Sequence, residues 1–168
     1  PEDRRGATDP YYVASVHSYH CALTLSKAAQ ALGYAGDANQ YRQRAKAVKK
    51  AILNKYFDDH GEILPRTPTG ITLALWYGLF PDGQEVALKA QLATLLDKRD
   101  GHLDTGFTGT SLLCRVLSTH DMHDRACTVF LKEDYPGWLY QVKLGATTIW
   151  ERWNSILEDG SMNPNGMN

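Results

Sequence analysis

The chain has 168 residues, 43% of them hydrophobic and 22% charged, which fits an ordinary globular domain and excludes a disordered or fibrous chain. Its 18 Lys+Arg against 19 Asp+Glu leave a net charge of −1, so no electrostatic case exists for a nucleic-acid or membrane-surface partner. Cys21, Cys114 and Cys127 are odd in number and widely spaced, which argues against a disulfide framework or a cysteine zinc site and for small core residues. No apolar run approaches the roughly 20 residues of a membrane-spanning helix.

Taken in chain order, the apolar pattern is helical almost throughout. Asp9-Pro10 reads as an N-cap and first helical position, opening a helix over 11–32 that Gly33 stops. Ala22, Ala28, Ala29 and Ala31 give it a face for close packing. Asp37 is expected to cap a second helix to about Tyr56, with Tyr41, Ala45, Val48 and Ile52 on one stripe. Its Arg42, Arg44, Lys46, Lys49 and Lys50 form a solvated face. A loop over 57–68 precedes an apolar, buried helix from about Thr69 to Leu79.

After the Pro81-Asp82-Gly83 turn a polar-faced helix runs to about Lys98, and 99–107 is irregular again. A fifth helix spans about 108–118, and Asp121 is expected to cap a sixth that ends near Asp134. The remainder shows no sustained period. Gly61 and Gly101 stand 40 residues apart, and Gly101 and Gly137 stand 36 apart. Three helical hairpins whose loops recur in one phase, on one rim, are the arithmetic of a helical repeat or an α/α toroid. The reading is therefore all-α, with helical hairpins forming part of a double-layered barrel.

Chemistry concentrates in the loops. Trp138, Tyr140, Trp150 and Trp153 crowd one stretch, with Glu151 between two of the tryptophans. Aromatic faces stack on the C–H faces of sugars, and equally well pack a core. A carboxylate enclosed by aromatics is desolvated, while Arg152 beside it opposes that effect. Glycoside hydrolysis needs two carboxyl groups, and Glu151 is a candidate for one of them, or else a partner for an arginine at a helix start. His102 and Asp104 suit a ligand contact, although Asp104 and Thr105 also suit a helix cap. No metal site, phosphate-cradling loop or Ser-His-Asp signature is present.

The string GATTIWERWN (145–154), followed by DGSMN (159–163), closely resembles the bacterial α-L-rhamnosidases of glycoside hydrolase family 78. HLDTGFTGTSLL (102–113) and YPGWLYQVKLGATTIWE (135–151) match in the same order. The resemblance covers essentially the whole chain. It implies an (α/α)6 barrel that releases terminal α-L-rhamnose with inversion, Glu151 as general base, and a rhamnose-containing glycoside as substrate, with no cofactor. It also implies Trp138, Trp150, Trp153 and His102 as substrate contacts, by their proximity to Glu151. The family's acidic, arginine-containing motif that holds the general acid is not reproduced by PEDRR (1–5), so that role is not carried over.

A start at Pro1 and six helices, about half of such a barrel, are read as a single partial domain, inactive alone and open to self-association through uncovered inner helices. The compartment reads as cytoplasmic or periplasmic. Two alternatives stand beside this one: another α/α-barrel carbohydrate enzyme, and a non-catalytic helical-repeat binding module.

Overall fold

A computed structural model describes residues 8–164. These residues contain seven helices and, instead of strands, two isolated antiparallel bridges, Phe57 with Ile63 and Ile156 with Met162. The helices are α1 (Pro10–Ala31), α2 (Ala35–Tyr56), α3 (Pro68–Tyr77), α4 (Glu85–Asp97), α5 (Phe107–Thr119), α6 (His123–Phe130) and α7 (Trp138–Lys143). The chain divides into two compact units between Leu88 and Lys89.

In the first unit α1 and α2 form a hairpin, and α3 packs on α1. Asp9 caps α1 through its side chain, which accepts from the Tyr11 N–H, and Pro10 occupies the first turn. Gly33 follows the helix at φ +81, where the sequence places the stop. Only part of the expected alanine face is used. Ala22 and Ala29 are buried, whereas Ala28 and Ala31 are exposed. Between the two buried alanines, Ser26 donates its hydroxyl to the Ala38 carbonyl at 2.7 Å. Small residues on both helices, Ala38 and Ala45 facing from α2, allow that close approach.

Two expectations for α2 change. The helix begins at Ala35 behind Tyr34, so Asp37 lies inside the first turn, where its charge meets the helix dipole instead of capping. Lys49 is only partly solvated, because its Nζ donates to the Gly78 carbonyl at the end of α3 (2.8 Å). That contact places a cation on the C-cap carbonyl of a helix with no basic residue in its own last turn.

The short helix α3 is buried along Pro68–Leu75 and capped by Thr67, whose hydroxyl accepts from the Gly70 N–H. Tyr12, fully buried on α1, donates its hydroxyl to the Gly70 carbonyl at 3.0 Å and meets Tyr56 edge-on at 5.0 Å. Burial, with Tyr56 adding to it, pushes the Tyr12 hydroxyl pKa far up, so it stays a donor. At Gly70 a Cβ would sit 2.4 Å from the Pro65 carbonyl oxygen, a backbone atom that cannot step aside.

The second unit holds the α5/α6 hairpin with α7 packed on α6. Helix α5 buries one face, Gly109, Thr110, Leu113, Val116 and Leu117. Asp121 does not cap α6: it takes φ +62, and the helix begins at His123 behind Met122, ending at Phe130. The short α7 lay in the stretch that shows no period in the sequence. The cysteines also differ from expectation. Cys21 and Cys127 are exposed and Cys114 is half-buried, all three as free thiols.

Two substitutions separate these packing constraints. Gly70→Ala is expected to lower the urea midpoint clearly, since its Cβ meets backbone. Gly36→Ala, with nothing within 4 Å of the added carbon, is expected to leave the midpoint unchanged or raise it, with a gain in stability of up to about 1 kcal/mol. Tyr12→Phe should cost about 1 kcal/mol by removing the buried hydroxyl's hydrogen bond to the Gly70 carbonyl.

Candidate active site

Glu151 lies in the irregular segment after α7, and the aromatic rings around it pair with one another. Trp138, the first residue of α7, meets Trp153 edge-on at 4.5 Å, with Phe130 on its other side at 6.1 Å. Tyr140 meets Tyr135 at 5.4 Å and Trp150 at 6.3 Å, both edge-to-face. The rings therefore shield each other, and Glu151 itself is exposed. This corrects the expectation of a carboxylate desolvated by the cluster and balanced by Arg152. Among the described residues none pairs with the Glu151 carboxylate, so the arginine-partner alternative finds no support there.

The position of that carboxylate is set by its neighbours in sequence. On one side the Trp150 backbone N–H donates to Gln141 Oε1 at 3.1 Å. On the other the Trp153 indole N–H is shared between the Thr105 carbonyl (2.8 Å) and Thr110 Oγ1 (3.1 Å). The two threonine hydroxyls lie 2.7 Å apart, and Thr110 also donates to the Thr105 carbonyl. Farther along, Tyr140 donates its hydroxyl to the Leu157 carbonyl at 2.9 Å. Gln141 and Thr110 were not picked out from the sequence, and Thr105 only as a helix cap. All three are buried polar residues, a pattern that becomes visible only once the fold supplies burial.

The second and third of the expected loops meet. The Leu103 N–H donates to the Pro136 carbonyl at 3.3 Å, and His102 Nε2 lies 3.1 Å from Asp134 Oδ2, off the line of a hydrogen bond. His102 Nδ1 is 2.8 Å from the Arg99 carbonyl, so the ring bridges two loop ends. Asp104 pairs with Arg99 at 3.1 Å, and Gly106 precedes α5 without a side-chain cap, so neither Asp104 nor Thr105 caps that helix. At Gly137 a Cβ would sit 2.7 Å from the Lys132 carbonyl oxygen, which restricts the start of α7 to glycine.

A charge string with exposed carboxylates lines these loops. The Lys132 ammonium, bonded to Asp100 at 2.7 Å, holds the Asp100 carboxyl below its usual value and is itself raised. Partial burial pushes Asp134 up, but its own backbone N–H, His102 and Lys132 outweigh that and leave it lowered. No group of three or more potential metal ligands occurs among the described residues.

The whole chain, residues 1–168, matches the family described as the bacterial alpha-L-rhamnosidase 6 hairpin glycosidase domain. The chain belongs to this family. It is 36% identical over 166 residues to an alpha-L-rhamnosidase of Alteromonas sp. and 34% identical over 168 residues to one of Formosa agariphila. Those alignments cover 98% and 99% of this chain but 18% of each relative. Among solved structures, the native alpha-L-rhamnosidase of Aspergillus terreus superposes with a TM-score of 0.90 at 30% identity, over 95% of this chain and 19% of that one. The Streptomyces avermitilis alpha-L-rhamnosidase complexed with L-rhamnose superposes with a TM-score of 0.86 at 30% identity, over 98% of this chain and 16% of that one. The chain thus spans about a fifth of the length of the proteins it matches. The all-α, six-hairpin (α/α)-barrel class expected from the sequence holds.

The charge string has a measurable consequence. A carboxyl held low in the folded state contributes stability above its ordinary value and loses it as pH falls through the lowered one. Acidification through and below the ordinary carboxylate range should therefore destabilise the second unit. Lys132→Ala should flatten that acid limb in pH-dependent thermal unfolding, as should 1 M salt, since the carboxylates of these pairs are exposed.

Proposed function

We propose that this chain supplies part of the active site of an inverting α-L-rhamnosidase, with Glu151 as the general base. The observation that carries the reading is the match of the whole chain to the six-hairpin rhamnosidase family, with Glu151 exposed between two anchored neighbours. A base must hold a water, and a solvent-open carboxylate on a fixed backbone is suited to that.

In the reaction, Glu151 takes a proton from water, whose oxygen attacks the anomeric carbon of rhamnose opposite the leaving group. The glycosidic C–O bond breaks, and the departing oxygen receives a proton from a second carboxylic acid elsewhere in the longer enzyme. The product is rhamnose of inverted configuration. Inverting pairs stand roughly 6.5–9.5 Å apart, leaving room for the water.

The substrate is a rhamnose-terminated glycoside, in keeping with the L-rhamnose bound to the Streptomyces avermitilis relative. Of the aromatic residues, Trp150 adjoins Glu151 and is the best placed to offer ring surface to a sugar. Trp138 and Trp153 pack on each other, and with His102 they hold the loops that frame the site.

The test is hydrolysis of an aryl α-L-rhamnoside by the protein that contains this chain. Glu151→Gln should cut turnover at least about 10³-fold with the melting temperature unchanged. Proton NMR of the first-formed sugar should show inversion. A mild loss removes Glu151 from the mechanism, and retained configuration removes its role as base.

A further inference from the structure

Gln141 is 3% exposed, yet its side chain does not pack as a hydrocarbon would. Its Oε1 accepts from the Trp150 N–H, and its backbone carbonyl accepts from the Ala146 N–H at 3.0 Å and the Leu144 N–H at 3.1 Å. One residue of α7 thereby fixes both ends of the turn that delivers Glu151. Its Nε2 is buried without a hydrogen-bond partner among the described residues. A leucine would fill the same space without that penalty, so packing alone does not account for glutamine here. The Trp153 indole on Thr105 and Thr110 closes the segment from the other side.

We infer that Gln141 is a positioning residue for Glu151, setting through the Trp150 N–H where the carboxylate stands. The inference rests on the assignment of Glu151 as general base. Gln141 touches no reacting atom. Its effect is geometric, since a base displaced by a fraction of an ångström loses the alignment that proton transfer and attack require.

The experiment is a double-mutant cycle in the protein that contains this chain, assayed on an aryl α-L-rhamnoside. Gln141→Met keeps the volume and removes the acceptor. It should lower kcat about tenfold or more, with KM within about twofold. Gln141→Glu keeps an oxygen for the Trp150 N–H and should retain most of the turnover. In a Glu151→Ala background, where residual turnover is raised with azide, which needs no base, adding Gln141→Met should change the rate by less than about twofold. An equal loss in both backgrounds means a merely structural role and overturns the inference. So does a Gln141→Glu variant as impaired as the methionine. If Glu151→Ala alone keeps its turnover, the base assignment has failed and the positioning role falls with it.

Discussion

A segment with neither helix nor sheet must satisfy its backbone and hold its shape through side chains. Residues 144–164 are such a segment, and its position depends on the shared indole N–H of Trp153. That donor reaches the Thr105 carbonyl and the Thr110 hydroxyl, joining the segment to the loop before α5 and to α5 itself. Trp138 packs on the same indole from α7, and Phe130 packs on Trp138 from the last turn of α6. Three helices and a loop thus converge on one ring system. Glu151, two residues before Trp153, takes its place from that convergence.

The first unit solves a different problem by different means. Two 22-residue helices run as a hairpin whose contact is made by small residues. The hydroxyl of Ser26 is turned into that contact rather than into solvent. A third helix, too short to be stable in isolation, is held at both ends by groups from the other two. Tyr12 engages its first turn and Lys49 its last carbonyl. A side chain counted as part of a solvated basic face turns out to be a helix terminator.

Much of this was legible from periodicity and punctuation. The Asp9-Pro10 start, the end of α2 at Tyr56 and the buried α3 each have a local cause, so sequence alone located them. The failures share a cause as well. Asp37 and Asp121 have the right chemistry for caps, but the chain enters the helix two residues away from each. Helix α7 has six residues, too few to show a period, and is fixed by contacts made with α6. The aromatic stretch was found readily, yet its meaning depended on where the rings point. Composition cannot distinguish rings that enclose a carboxylate from rings that enclose each other. Gln141 was invisible for the same reason, since burial is a property of the fold.

The divided bond of Trp153 has a consequence for which sequences can occupy this wedge. The indole has one N–H and offers it to two acceptors, so loss of one acceptor leaves the other in place for it. With Thr110 replaced by a smaller residue, the indole would still be seated on a backbone carbonyl that every amino acid at position 105 provides. With the indole replaced, both acceptors lose its N–H, and Trp138 loses its edge-on partner and keeps Phe130 alone. Tolerance is therefore lopsided: the threonine side of the contact can drift, and the tryptophan side is held.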